Sequence, residues 1–266
     1  MNHKKRSMKN KKRSRHLIIG AGEVGQALYE VLHKKYNVTI RDVSGHRKEK
    51  FDVVHIAYPP IKNFIVITRR YNASYRPRLI IIHSTVPVGT TRKIGTTAVH
   101  SPIRGTHTRG HHQGIVRGTK KPSDKQESEK SYLGQSLKFF VKYFAGSKAR
   151  EAAAYFEKAG VTTTVFRKPE ATELLKILDT TYLGWNVVFA KEVKRICDQL
   201  GLDFDEVYTI PNRDYNEGYR RFGMAHVIRP VLQAMPGKIG GHCVMPNCEL
   251  LDDWLTKTIK ERNKKY

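Results

Sequence analysis

The stretch Leu17-Ile18-Ile19-Gly20-Ala21-Gly22-Glu23-Val24-Gly25 constrains this chain more than any other. Its three leading apolar residues read as a short strand, and Ala27, Leu28, Val31 and Leu32 then recur at helical spacing between Gln26 and Lys35. Gly20-x-Gly22-x-x-Gly25 stands between the two, where a strand must turn sharply into a helix. Glycines there permit the turn and let a pyrophosphate approach the helix N-terminus, whose unpaired N–H groups favour an anion. Val38-Thr39-Ile40 reads as the next strand and ends at Asp42. A carboxylate about 20 residues beyond the glycines can accept hydrogen bonds from ribose hydroxyls and repel a 2′-phosphate. Strand, glycine turn, helix, strand and acid together predict a dinucleotide site that prefers NAD to NADP. Glu23 and Val24 in the turn, and Tyr58, Pro59, Ser84 and Thr85 at later strand ends, are the other expected cofactor contacts.

Further short apolar runs lie at Val53–Ala57, Phe64–Ile67 and Leu79–His83, and near-continuous runs of this kind suit a parallel sheet buried on both faces. Helices are expected over Gly134–Phe144 and Ala149–Ala159, and a strand over Val161–Phe166. Residues 104–131, rich in Gly, His, Lys and Ser, read as a polar insertion. Past Pro169 the pattern changes. Leu174, Leu178, Tyr182, Trp185, Phe189, Val193, Ile196 and Leu200 recur at spacings of three or four, and Gly201 is a natural stop. The implied helix is about 45 Å long at 1.5 Å per residue, too long for one small domain to cover. The expected architecture is α/β: a Rossmann-like parallel-sheet domain over residues 17–168, followed by an all-helical domain over 169–266 with a long central helix. Residues 1–16 are expected to be a disordered basic tail.

The 266 residues carry 49 Lys+Arg against 24 Asp+Glu, a net charge of +25, which favours an anionic partner. Eight of the basic residues lie in Met1–His16 and five more in Lys257–Tyr266, so either solvated tails or a nucleic-acid arm fits the ends. Three cysteines make no disulfide framework, and no apolar run reaches the roughly 18 residues of a membrane span. A cytoplasmic protein is expected. His100, His107, His111 and His112 cluster without an acidic or cysteine ligand spaced among them, and no metal site is expected.

Three further segments bear on chemistry. Pro236-Gly237-Lys238-Ile239-Gly240-Gly241-His242-Cys243 is a glycine-rich turn that delivers a thiol to a place where backbone can crowd a ligand. His83-Ser84-Thr85-Val86-Pro87-Val88-Gly89-Thr90-Thr91 puts hydroxyls at a strand's carboxyl end, where open α/β sheets bind ligands. Lys176 and Thr180 share a face of the long helix; such a lysine either reaches into the interdomain cleft or snorkels at the surface.

Taken in order, these motifs and Glu173-Leu174-x-Lys176 to Asn186-x-x-Phe189-Ala190-x-Glu192 resemble the UDP-glucose/GDP-mannose dehydrogenase family, from about Leu17 to Leu251. The resemblance implies NAD as acceptor of two hydrides from a sugar alcohol. It makes Cys243 the nucleophile that traps the aldehyde, Lys176 the oxyanion and proton-handling residue, and Thr85 a group that positions water. It also implies a homodimer through the 170–200 helix. Thr180 and Asn247 fall where the family has Asn and Asp, Ile103 falls where it has Glu, and the chain stops where a second Rossmann-like domain would follow. Arg104, His107, Gly240 and Gly241 are the candidate contacts to an anionic sugar-like substrate. Two rivals stay open: a single-step dehydrogenase using Lys176 as acid/base, and a degenerate dinucleotide-binding protein that docks on nucleic acid.

Overall fold

A computed structural model describes residues 13–42, 49–105, 132–241 and 243–266. The expected basic tail falls mostly outside these residues, as do nearly all of the 104–131 insertion, His107, His111, His112 and His242. Seven strands form one sheet in the order β2-β1-β3-β4-β5-β6-β7. They are β1 (Arg15–Ile19), β2 (Asn37–Arg41), β3 (Val53–Ile56), β4 (Leu79–Ile82), β5 (Ala98–His100), β6 (Lys142–Ala145) and β7 (Thr163–Phe166). The first five run parallel, whereas β6 joins β5 antiparallel through the single pair His100↔Ala145 and carries β7 parallel to itself. The sheet is therefore mostly parallel, with a reversed two-strand edge.

Every residue of β3 and β4 is buried, the mark of strands covered on both faces. Alternate residues go to opposite layers. Ile18, Val53, Leu79 and Ile81 pack under α1 (Glu23–Leu32), α4 (Tyr132–Phe139) and α5 (Ala149–Lys158). Leu17, Ile19, Val54, Ile56, Ile80 and Ile82 face α2 (Phe64–Tyr75) and α3 (Thr90–Ile94).

Two expected elements are corrected. The run Phe64–Ile67 is the start of α2 and not a strand, because it buries Phe64, Thr68, Tyr71 and Tyr75, which recur at helical spacing. No sheet position is open to it either, since β3 pairs directly with β4 through Val53↔Leu79. The expected helix over Gly134–Phe144 stops at Phe139, and Lys142–Ala145 is strand β6, with Lys142, Phe144 and Ala145 buried against neighbours. A buried lysine in an apolar run concealed that strand.

Helix α6 (Pro169–Leu200) begins with Pro in its first turn and ends at Gly201, whose φ of 67° is the left-handed stop that glycine adopts without strain. At 32 residues it spans about 48 Å. Its buried face is mostly small or polar, including Thr172, Glu173, Thr180, Thr181, Gly184 and Ala190. Its large apolar residues are exposed: Tyr182 at 64%, Phe189 at 61% and Leu200 at 66%, with Leu174, Leu178 and Ile196 also open to solvent. Helices α7 (Ile210–Arg221), α8 (Val244–Cys248) and α9 (Trp254–Asn263) complete the helical region. Among the described residues no helix is long and apolar enough to cross a membrane.

Candidate active site

The chain enters β2 after β1 and then crosses back to place β3 on β1's other side, which opens a crevice at the carboxyl ends of β1 and β3. The glycine turn sits there, and each glycine has its own reason. Gly20 has φ 106°, and a Cβ on it would lie 2.8 Å from the backbone of Ala57 and Tyr58. A Cβ on Gly25 would lie 1.9 Å from the Gly20 carbonyl oxygen, so only glycine lets α1 pack this closely on the turn. A Cβ on Gly22 would meet nothing within 4 Å. The backbone at Gly22 is thus open on the side where a diphosphate would lie, at the N-cap of α1. Asp42 follows the end of β2, Tyr58 and Pro59 follow β3, and Ser84 and Thr85 follow β4. These residues fit a dinucleotide.

Four side chains fix α6 to this edge. Glu173, fully buried, accepts hydrogen bonds from the N–H groups of Gly89 (2.6 Å) and Thr91 (2.7 Å), so its carboxylate caps the start of α3. Thr172 Oγ1 meets His100 Nδ1 at 2.8 Å, Glu170 pairs with Arg92 at 2.7 Å, and Asp179 pairs with Arg104 at 2.8 Å. Lys176 is carried to the sheet edge between these anchors. From the other side Gly184 admits α8 and α9, since a Cβ there would lie 2.8 Å from Val244 and 3.0 Å from Ile259. Cys243 is the N-cap of α8 and arrives with it.

A cavity of about 270 Å³ results. Thr85, Lys176, Cys243 and Asn247 line it, with Val24, Tyr58, Pro59 and Ser84 on the nucleotide side and His83, Ile103, Pro246 and Leu250 closing it. Burial lowers the pKa of Lys176 below the usual lysine range, while Cys243 and then Asp179 oppose that shift. None of the three cysteines is in a disulfide. Thr180 does not line the cavity: its hydroxyl donates to the Ile177 carbonyl (2.9 Å) and accepts from Asn247 Nδ2 (3.1 Å). With that hydroxyl proton committed, the Asn247 amide must be the donor of the pair. Arg104 is paired through its guanidinium with Asp179 and also donates to the Tyr143 hydroxyl at 3.3 Å, so it reaches the site already occupied. Gly240 and Gly241 are exposed on the segment leading to Cys243. A larger recess of about 810 Å³, between the second half of α6 and residues 234–237, contains none of the motif residues of the sheet edge.

Behind the cavity three buried histidines cross the sheet diagonally. His16 Nδ1 meets His55 Nε2 at 2.9 Å, His55 Nδ1 meets His83 Nε2 at 3.0 Å, and His83 Nδ1 meets the Ser101 carbonyl at 2.9 Å. The carbonyl can only accept, so every Nδ1 carries a proton and each Nε2 before it accepts. His16 Nε2, the bare end, has no partner among the described residues. Lys142 Nζ donates to the carbonyls of Ser101 (2.9 Å) and Pro102 (3.2 Å), and burial drives its pKa well below the usual range.

Sequence reasoning did not assign roles to Glu173, Asp179 or His83. Glu173 stands in the Glu173-Leu174-x-Lys176 motif, and an acid two turns before Thr180 on an otherwise buried face is the available signal. For Asp179 the signal was its position three residues from Lys176. His100 belongs to the contact between β5 and α6, and no group of metal-ligating side chains exists among the described residues.

Residues 170–258 match the profile of the central domain of the UDP-glucose/GDP-mannose dehydrogenase family. The chain is similar to a UDP-N-acetyl-D-mannosamine dehydrogenase from Methanococcus maripaludis, 26% identical over 194 residues that cover 71% of this chain and 36% of that protein. It is also similar to an NDP-N-acetyl-D-galactosaminuronic acid dehydrogenase from Ralstonia nicotianae, 26% identical over 64% of this chain and 37% of that one. It therefore spans little more than a third of the length of these relatives. Two solved structures share the fold. A UDP-D-ManNAc dehydrogenase from Pyrococcus horikoshii has a TM-score of 0.68 at 18% identity, over 94% of this chain and 68% of that one. The 3-hydroxyisobutyrate dehydrogenase of Mycobacterium tuberculosis has a TM-score of 0.60 at 15% identity, over 95% and 93%.

Proposed function

We propose, for a chain that belongs to the UDP-glucose/GDP-mannose dehydrogenase family through residues 170–258, an NAD-dependent dehydrogenase that oxidises the alcohol of a nucleotide-sugar-like anionic substrate through Cys243. The observation that carries this reading is the meeting of Thr85, Lys176 and Cys243, from three separate elements, in one cavity beside the glycine turn. Gly20, Gly22 and Gly25 would hold the diphosphate of NAD, and Asp42 its ribose. When bound, NAD supplies the acceptor for hydride.

Lys176 handles the proton at the substrate oxygen. A half-buried amine of lowered pKa can accept the alcohol proton and return it to a developing oxyanion. Cys243 Sγ adds to the carbonyl carbon of the aldehyde: a C–S bond forms, the carbonyl π pair moves to oxygen, and Lys176 stabilises that charge or protonates it. One hydride would leave this carbon in forming the aldehyde and a second in converting the adduct to a thioester, each taken up by a separately bound NAD, with Lys176 taking the adduct's hydroxyl proton. Water then bonds to the acyl carbon, the C–S bond breaks, and the thiol and a carboxylic acid are released. Thr85 lines the wall where that water would sit. Asn247 and Thr180 form a neutral pair and Ile103 is aliphatic, so these positions offer no base for hydrolysis. The slow step is therefore thioester hydrolysis. The same neutrality favours a second reading, in which Lys176 drives one oxidation and Cys243 only lines the wall. The exposed apolar stripe of α6 supports a homodimer through residues 170–200.

A panel of UDP-N-acetylhexosamines, other nucleotide sugars and hydroxyacids, read by NADH production, tests the proposal. We expect turnover with a nucleotide sugar, tighter calorimetric binding of NAD than NADP, and a Cys243→Ser variant that binds NAD but makes no acid. Wild-type turnover by Cys243→Ser, with no acid formed by either protein, would leave the lysine mechanism alone standing.

A further inference from the structure

No regular structure holds the segment that carries the thiol. Between the 3₁₀ turn Ala225–Val227 and α8 the described residues form no helix or strand, and Gly237 (φ 76°) and Gly241 (φ 85°) adopt left-handed backbone. Residues 235–238 are exposed. A segment of this kind samples many conformations unless something outside it supplies partners for its backbone.

Two buried side chains do so. Lys191, 8% exposed on α6, donates from Nζ to the carbonyls of Met235 and Gly237, the latter at 2.6 Å. Its ammonium also lies 4.9 Å from the centre of the Tyr266 ring. Asn263, 7% exposed at the end of α9, accepts from the Ile239 N–H at 2.5 Å and donates to the Ile239 carbonyl at 3.4 Å. Ile239 itself packs on the cluster of Val188, Val244 and Ile259. Backbone groups at 235, 237 and 239 are thus gripped from two helices, immediately before the glycines and the cysteine. Lys191 lies about four turns along α6 from Lys176, roughly 22 Å at 1.5 Å per residue, so it touches none of the reacting atoms.

We propose that Lys191 and Asn263 are positioning residues that fix how far Cys243 reaches toward Lys176. The proposal rests on Cys243 being the nucleophile. A displacement of about 1 Å at a reacting atom can cost on the order of 100-fold in rate, and a loosened thiol segment would move Cys243 by at least that much.

The test uses the full chain with Lys191→Met, Lys191→Arg and Asn263→Asp. The last keeps an acceptor for the Ile239 N–H but sets a carboxylate against the Ile239 carbonyl, and it probes the grip from α9 should Lys191→Met fold poorly. Three quantities are read: hydrogen exchange over residues 235–243, the pH profile of Cys243 alkylation by iodoacetamide, and NADH production. We expect faster exchange, an alkylation profile displaced to higher pH as the thiol leaves Lys176, and kcat lower by about 10- to 100-fold. The KM for NAD should stay within about twofold, because the glycine turn is remote, and Lys191→Arg should restore most of the loss. Unchanged exchange would overturn the grip; faster exchange with a wild-type alkylation profile and kcat would overturn its positioning role. Failure of the functional reading looks different: Cys243→Ser would turn over at the wild-type rate, while the displaced alkylation profile of the Lys191 and Asn263 variants would persist.

Discussion

Glu173 shows how much one buried side chain decides here. Its two oxygens take the N–H groups of Gly89 and Thr91, donors that would otherwise be orphaned at the start of α3. A carboxylate does this well because both partners are donors and because hydrogen bonds to a charged group are worth about 1.5–3 kcal/mol. Glu173→Gln keeps one acceptor but turns an amide N–H₂ toward a backbone N–H. We expect it to destabilise the protein by about 3 kcal/mol, measured by urea unfolding, and to reduce turnover because Lys176 rides on the same turn. Unchanged stability would mean that the docking of α6 does not depend on this cap. Arg104 and Asp179 belong to the same set of anchors and pair with each other at 2.8 Å.

Among the elements, α6 has an unusual division of faces. Its interior side carries threonines, a glycine and alanine, which let the sheet edge, α8 and α9 approach closely. Its outward side carries Leu174, Leu178, Tyr182, Phe189, Ile196 and Leu200. Exposing this many large side chains along a single stripe is unfavourable at about 25 cal/mol per Å², and a second copy of the same stripe removes the cost symmetrically. Light scattering at micromolar concentration should therefore give twice the chain mass, and Phe189→Glu with Tyr182→Glu should give a monomer that still binds NAD. A wild-type monomer would rule out the dimer.

The whole molecule carries a charge pattern with a consequence for pH. Burial, the largest cause in each case, lowers the pKa of His16 to about 4 and of His100 to about 3, and holds His55, His83 and Lys142 well below their ordinary values. Burial disfavours the charged form of each of these groups in the folded chain, whereas the unfolded chain protonates its histidines near pH 6.5 and its lysines near 10.4. The unfolded state therefore binds more protons throughout the intervening window, so stability falls as pH falls. His16 alone contributes about 3 kcal/mol of loss between pH 6.5 and 4, at about 1.4 kcal/mol per pKa unit. Melting temperatures should climb steadily from pH 5 to pH 8. A higher melting temperature at pH 5 than at pH 7 would show that the histidine diagonal is charged in the fold.

What the sequence determined by itself is local. The glycine turn, the buried strand runs and the limits of α6 were legible because backbone φ, capping and hydrophobic period act over a few residues, and each left a residue type behind: Gly20, Gly25, Pro169, Gly201. The resemblance added Cys243 and Lys176 as a pair, with Thr85, Thr180, Asn247 and Ile103 around them, but not the contacts these residues make. Only the tertiary structure decided that Phe64–Ile67 turns as a helix and that Lys142 sits in a strand, because in both cases the neighbouring strands had already fixed which places in the sheet were open. It alone joined Glu173 to Gly89, Arg104 to Asp179, Asn247 to Thr180 and Lys191 to the thiol segment. Those contacts depend on side chains far apart in the chain finding complementary donors and acceptors, and no short-range pattern encodes which partner each one meets.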